Sequence, residues 1–129
     1  MIDFIFEQLN NCLDEEEKYW AIIKLGKQSP NLAYNQKIDT NKVTGCQSNV
    51  WLISNIKDNK FYFQADSDSF LVKGLAYIAT EFYSGKTNIQ IQNLEPTFIS
   101  GLGLDKYITA SRVNGVHAII HKIKQITID

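Results

Sequence analysis

The apolar residues at the start of the chain recur with a helical period. They lie three or four positions apart, at Ile2, Ile5, Phe6 and Leu9. This spacing predicts a short first helix. A second helix is predicted from Asp14, which can cap it, with Glu17 three residues on as in a capping box. The segment Ser29-Pro30-Asn31 ends this helix.

The pattern changes to a period of two in the middle of the chain. Residues 49–57 alternate in polarity, residues 58–59 suit a tight turn, and residues 60–65 return with Phe61 and Phe63 on one face. This arrangement predicts a β-hairpin. We expect a further strand just before Gly45, which would give a small three-stranded antiparallel sheet.

Helical periodicity returns in the second half. Residues 70–83 carry an apolar stripe and are followed by Ser84-Gly85, a typical helix end. A short helix is predicted between Pro96 and Gly101, and a long last helix follows, with Ser111 as its possible cap. The sequence therefore predicts an α+β fold in a single domain, residues 1–129, with helices at both ends and the sheet between them.

Composition narrows the classes of function. The chain has 129 residues, a net charge of −1 and a single arginine, Arg112, with its lysines scattered. These features argue against a nucleic-acid partner. No apolar run approaches the ~18 residues that span a bilayer, which argues against a membrane partner. Two cysteines, no glycosylation sequon and no signal-like N-terminus favour the cytoplasm.

Cys46 is the strongest candidate for chemistry. It lies between two extended segments, and Gly45 before it permits a tight or left-handed turn. Such a thiol can be presented to a partner, but a free cysteine can also be a small buried hydrophobic residue. The other cysteine, Cys12, lies near Leu9 and Leu13 in a segment typical of packing, and the spacing gives no support for a Cys12–Cys46 disulfide.

Three other patterns have simpler interpretations. The segment 66–68, Asp-Ser-Asp, begins like a calcium loop but lacks the later ligands, so we expect it to cap the following helix. His117 and His121 lie four residues apart without a third ligand, and we expect them to face solvent. Gly74 inside a helix indicates a closely packed neighbour, either the Cys46 loop or a strand.

Several segments together resemble the SufE family of sulfur acceptors. Residues 45–51, GCQSNVW, resemble the cysteine loop of that family. Residues 66–75, DSDSFLVKGL, resemble its second characteristic stretch, and residues 111–115, SRVNG, its third. The segments follow the order of the family, and the resemblance spans nearly the whole chain. Ala110 departs from it, since many relatives have proline there.

The resemblance implies a fold shared with NifU-type scaffold proteins. It implies that Cys46 takes sulfur, as a transient persulfide, from a pyridoxal-phosphate cysteine desulfurase of the SufS type, and that the sulfur passes to a SufBCD-type scaffold complex. It also implies that the thiol rests in a sheltered cavity and turns outward on docking. By this resemblance the chain is an accessory protein rather than an enzyme, and it has no cofactor of its own.

Sulfur transfer needs a thiolate, and a nearby cation would help to form one. Arg112 is our first candidate for that cation and Lys73 the second. Arg112 could instead form a salt bridge with Asp66 or Asp68. Asp68 itself is expected either to cap the next helix or to hold the Cys46 loop.

Three residues, Val50, Trp51 and Gly74, could provide apolar surroundings that shelter the sulfur. One alternative function is an iron–sulfur cluster scaffold or metal-binding protein of NifU-like fold, which would need about three or four converging ligands. Another is a thiol peroxidase or cysteine hydrolase, which would need a resolving cysteine or an orienting histidine.

Overall fold

The computed structural model describes residues 2–128, and these residues form seven helices and one β-hairpin. In chain order the elements are α1 Ile2–Asn10, α2 Glu15–Gln28, β1 Val50–Lys57, β2 Lys60–Ser67, α3 Phe70–Tyr83, α4 Asn88–Asn93, α5 Phe98–Gly101, α6 Leu104–Tyr107 and α7 Ala110–Thr127. Two short 3₁₀ helices, Tyr34–Gln36 and Asp39–Asn41, lie between α2 and β1. The α+β class is confirmed.

The two N-terminal helices begin and end as their sequence predicts. The Asp14 carboxylate accepts the Glu17 N–H at 2.8 Å, and α2 ends before Ser29. The second half of the capping box is displaced by one residue, because the Glu17 carboxylate accepts the N–H of Leu13 at 3.0 Å rather than that of Asp14. Both bonds satisfy N–H groups near the helix start that have no partner inside the helix.

The hairpin is confirmed, and its turn has the expected chemistry. β1 and β2 pair antiparallel from Val50 opposite Ser67 to Lys57 opposite Lys60. Asp58 and Asn59 both adopt a left-handed conformation, with φ of 52° and 67°. Two such residues form the turn type whose twist matches paired strands, and Asp and Asn tolerate it better than other non-glycine residues.

The prediction of a third strand is wrong. The segment before Gly45 makes only a single bridge, Lys42 with Trp51, and one bond in which the Val43 N–H donates to the Val50 carbonyl at 2.8 Å. A 3₁₀ helix ends just before this bridge, and Gly45 turns the chain away with a φ of +95°. Too few extended residues remain between these two bends to continue the ladder, so the sheet has two strands.

Helix α3 spans the predicted residues, Phe70–Tyr83, but its cap differs from the expected one. The Ser69 hydroxyl accepts the Val72 N–H at 3.4 Å, so Ser69 caps the helix and the segment 66–68 does not. The expected cap of the last helix is also wrong. Helix α7 begins at Ala110 with Thr109 as the N-cap residue, which places Ser111 inside the first turn.

The predicted short helix after Pro96 is α5, whereas α4 and α6 were not expected from the pattern. Helix α4 carries a signal that could have revealed it. The Thr87 hydroxyl accepts the Gln90 N–H at 3.3 Å, and the Gln90 side chain accepts the Thr87 N–H at 2.9 Å. A threonine followed three residues later by glutamine is the sequence signature of a capping box.

Gly74 does have a close neighbour, but the neighbour is helix α2 rather than the Cys46 loop or a strand. A Cβ atom built on Gly74 would lie 2.0 Å from the carbonyl oxygen of Ile22, and one on Gly26 would lie 2.0 Å from that of Phe70. The two helices therefore cross with their backbones in contact. Both predicted alternatives for this position are wrong, because two glycines make a helix–helix contact possible.

None of the helices within residues 2–128 combines the length and apolar character needed to cross a membrane. The core lies between α3, the inner face of the hairpin and α7. On the hairpin, Val50 and Leu52 of β1 and Phe63 and Ala65 of β2 are buried and point toward this core. The site described below lies at one edge of it.

We predict that Gly74→Ala destabilises the protein by about 2–4 kcal/mol, because the added methyl forces α2 and α3 apart. The free energy of unfolding, measured by urea titration, checks this value. Gly101→Ala is the matched control, since a Cβ there meets nothing within 4 Å. Equal unfolding midpoints for the two variants would contradict the backbone contact.

Candidate functional site

The loop that carries Cys46 is closed at its base by the bond between Val43 and Val50 and rests on helix α7. Gly45 adopts a left-handed conformation that side chains other than glycine rarely take. A Cβ on Gly45 would also approach the Cβ of Ala118 to 3.4 Å. Glycine at this position therefore allows both the turn and the close contact with α7, and it aims Cys46 toward that helix.

The Cys46 thiol is half-buried against α7. Its Sγ–H donates to the carbonyl oxygen of Gly115, with 3.6 Å between sulfur and oxygen. A cavity of about 60 Å³ lies beside it. The apolar walls come from two helices, and they are Val72 and Leu75 of α3 and Val116 and Ile119 of α7. The rim is polar and consists of Gln47, Ser48, Ser111 and Arg112.

The shelter is built from residues other than the expected ones. Val50, Trp51 and Gly74 do not line the cavity. Trp51 lies on the outer face of the hairpin, with the Lys37 ammonium 5.7 Å from its ring centre. Its neighbours in the chain point the other way because side chains alternate along a strand. The expectation of an apolar surrounding for Cys46 is met by α3 and α7 instead.

Burial raises the pKa of the Cys46 thiol above its ordinary value. The cause is the loss of hydration, which disfavours the charged thiolate. At neutral pH the resting thiol is thus protonated and a poor nucleophile, and it also has a proton to donate to Gly115. Burial thus lowers the thiolate fraction of the resting site, and exposure of Cys46 or approach of a cation would raise it.

Arg112 lies at the rim of the cavity and is exposed. Its Nη1 donates a long bond of 3.5 Å to the hydroxyl of Tyr19. Neither predicted salt bridge forms, because Asp66 pairs with two lysines and Asp68 binds an amide. Within residues 2–128 the guanidinium therefore has no carboxylate partner, and it is placed where an anion at the cavity mouth would meet it.

Lys73 does not line the cavity. Its ammonium is buried and donates to the Ser29 carbonyl at 3.2 Å and to the Asn31 side chain, and it lies 3.6 Å from Asp66. Adjacent residues of a helix point about 100° apart, so Val72 can face the cavity while Lys73 faces away. The geometry makes Lys73 an anchor for the segment after α2 and gives it no contact with Cys46.

The Asp66 carboxylate accepts the hydrogen bonds and ion pairs that hold this segment in place. Burial acts to raise its pKa, but the Leu32 N–H, the Lys37 ammonium and the Ser67 N–H outweigh burial, together with the charge of Lys73. The pKa of Asp66 therefore lies below its ordinary value, and the carboxylate is charged at neutral pH. Its partners satisfy the charge, as a buried carboxylate requires.

Two side chains next to Asp66 hold the end of the Cys46 loop. The Asp68 carboxylate accepts the side-chain N–H of Asn49 at 2.9 Å, and the Ser67 hydroxyl donates to the Asn49 carbonyl at 2.7 Å. Asp68 was expected either to cap the next helix or to hold the Cys46 loop, and its contact is with the end of the loop. Asn49 and Ser67 were missed by sequence reasoning, although both lie inside the segments that carry the family resemblance.

The remaining candidates lie elsewhere. Cys12 follows α1, with its Sγ 3.6 Å from the Gln8 carbonyl oxygen, and both cysteines are free. His117 and His121 are exposed on α7, as expected. Over the part of the chain that the structure describes, no three His, Cys, Asp or Glu side chains are grouped to hold a metal ion. The scaffold hypothesis therefore has no ligand set among these residues.

Comparisons with known proteins agree with this architecture. Residues 3–127 match the family model described as SufE, Fe-S metabolism associated domain. An uncharacterized SufE-like protein of Synechocystis sp. is 36% identical over 115 residues, which cover 89% of this chain and 72% of that protein. A solution structure of a hypothetical protein from Thermus thermophilus has a TM-score of 0.75 at 17% identity. The alignment covers 98% of this chain and 92% of that one, and it shows a shared fold.

We predict that Asp68→Ala frees the Cys46 loop without uncapping α3, since Asp68 binds Asn49 and Ser69 provides the cap. The alkylation rate of Cys46 should rise about threefold to tenfold, because the closed loop is less populated. The control, Ser69→Ala, should cost about 1 kcal/mol of stability and leave alkylation unchanged. An unchanged alkylation rate in Asp68→Ala would remove Asp68 from the site.

The raised pKa of Cys46 predicts the pH dependence of its reactivity. In a Cys12→Ser background, the rate of reaction with iodoacetamide should rise about tenfold per pH unit. It should level off only at a pH above the ordinary thiol pKa of about 8.5. In the urea-unfolded protein the rate should level off near that ordinary pKa. Cys46 keeps its proton to a higher pH in the folded protein than in the unfolded one. The free energy of unfolding should therefore fall as pH rises from the unfolded pKa through the folded pKa. If the rate in the folded protein levels off at a pH below the ordinary thiol pKa, a cation must stabilise the thiolate.

Proposed function

Because the chain belongs to the SufE family, whose domain is associated with Fe-S metabolism, we propose that it carries sulfur as a persulfide on Cys46. The observation behind this proposal is the position of the Cys46 Sγ beside an apolar cavity, at the tip of a loop whose base is fixed. A thiol in this place can be stored under cover and still be moved outward by rotation of a short loop.

The proposed transfer is an exchange between sulfur atoms. The Cys46 thiolate attacks the terminal sulfur of a persulfide on the donor protein, and a new S–S bond forms on Cys46. The S–S bond in the donor breaks, and its electron pair leaves with the donor cysteine as a thiolate. The terminal sulfur keeps its proton, so atoms, charge and electrons balance without an added oxidant or reductant.

The donor in this proposal is a pyridoxal-phosphate cysteine desulfurase of the SufS type, and the recipient is a SufBCD-type scaffold complex. The chain would act as an accessory protein that stimulates the desulfurase by removing its product sulfur. It would need no resident cofactor and would work in the cytoplasm. Arg112 at the rim is suited to stabilise the thiolate while the donor is docked, since its guanidinium is exposed there.

The cavity gives the proposed carrier a way to keep its cargo. A persulfide in solution is open to attack by small thiols, and access is one of the factors that set the rate of such attack. The walls Val72, Leu75, Val116 and Ile119 cover one side of the Cys46 sulfur and reduce its exposure to solvent. Closing the loop after transfer would thus protect the persulfide until the recipient docks.

We predict that incubation with a cysteine desulfurase and cysteine, without reductant, adds one or more sulfur atoms to Cys46. Intact mass spectrometry and peptide mapping measure the gain, and a reducing agent should remove it. Cys46→Ser should fold normally and take up no sulfur. Cys12→Ser is the matched control and should retain most of the uptake, because Cys12 lies outside the cavity.

Two outcomes would contradict the proposed function. Loss of uptake in a folded Cys12→Ser variant would reverse the roles of the two cysteines. No uptake by the parent protein from a desulfurase that loads another acceptor would rule out the carrier, and stoichiometric iron or zinc in the purified protein would then favour the scaffold alternative.

A further inference from the structure

Gly115 is a buried glycine in the interior of an 18-residue helix, where alanine would be more stable. At Gly26 and Gly74 the reason for glycine is a neighbouring backbone. No such reason exists at Gly115. Apart from its own helix and chain neighbours, a Cβ there would meet one described atom within 4 Å, the Cys46 Sγ at 3.6 Å, which is an ordinary contact. The thiol form of the protein could therefore accept alanine.

We propose that position 115 lacks a side chain so that the terminal sulfur of a Cys46 persulfide can lie inside the cavity while the loop is closed. This inference rests on the proposed function. An S–S bond of about 2.05 Å adds a second sulfur next to Sγ, and an alanine methyl 3.6 Å from Sγ would narrow the space open to it. Gly115 is thus a positioning residue for the loaded form of the protein.

The hydrogen bond from Cys46 to Gly115 is present in the thiol form and absent in the persulfide form. In the thiol form the Sγ–H donates to the Gly115 carbonyl oxygen at 3.6 Å and helps to hold Cys46 inward. In a persulfide Sγ is bonded to sulfur and has no proton to donate, so this bond is lost. The loaded form then depends on the fit of its terminal sulfur inside the cavity to stay closed.

The size of the cavity is compatible with the loaded form. Its volume is about 60 Å³. About 10–15 Å³ of such space is enough for one water molecule, so the cavity has room for one added sulfur atom.

The test compares Gly115→Ala with its parent in a Cys12→Ser background, after loading with inorganic polysulfide. The Cys46 thiolate attacks a terminal, protonated sulfur of the polysulfide, an S–S bond to Cys46 forms as the bond behind that sulfur breaks, and the shortened polysulfide leaves with the electron pair. Persulfide lifetime is then followed by mass spectrometry in dilute dithiothreitol. We expect Gly115→Ala to lose its persulfide about tenfold faster, because the closed loaded state is less populated.

Two further readouts separate this effect from general damage. The alkylation rate of the unloaded Cys46 thiol should stay within about twofold of the parent, and Tm should rise by about 2–5 °C from the better helix former. Gly101→Ala, where a Cβ meets nothing within 4 Å, should match the parent in persulfide lifetime. Together these results would confine the effect of the methyl to the loaded form.

Two results would overturn the inference. One is an equal persulfide lifetime in Gly115→Ala and its parent. The other is an equal acceleration of thiol alkylation and persulfide loss, which would mean that the methyl only displaces the loop. Loading with polysulfide needs no desulfurase, so this comparison stands even if a desulfurase fails to load Cys46, a result that would contradict the proposed function alone.

Discussion

Helices α2 and α3 cross with their backbones in contact, and the geometry of the Cys46 site depends on that crossing. Gly26 and Gly74 face each other there, and a methyl group on either would collide with the carbonyl oxygen of the other helix. Helix α3 also packs against β2, α7 and α1. Its fixed position sets where Val72 and Leu75 stand, and these two side chains form one wall of the cavity. The opposite wall belongs to α7, so the cavity is a gap between two helices.

The end of β2 and the residue after it connect a buried charge to the Cys46 loop. Lys73 holds the Asp66 carboxylate, and the next two residues, Ser67 and Asp68, bind Asn49. Three consecutive residues therefore tie the end of the Cys46 loop to the interior.

Burial of the thiol has two consequences that suit a carrier. It raises the pKa of Cys46, which keeps the resting sulfur protonated and slow to react. It also places the sulfur against the apolar walls of the cavity, which limits its access from solvent. A nucleophile that turns over substrate by itself needs an activating base close by. Here the charged side chain at the rim is Arg112, which is exposed, permanently protonated and therefore not a base.

Local patterns were sufficient for the elements whose periodicity is strong. The hairpin and helix α3 follow from near-neighbour spacing and turn chemistry, because these depend on a few adjacent residues. Contacts between distant segments were not predictable in that way. The partner of Gly74, the separation of Lys73 from the cavity and the failure of the third strand depend on how helices cross and where Gly45 turns the chain. Those relations join residues tens of positions apart, so the packed structure alone could decide them.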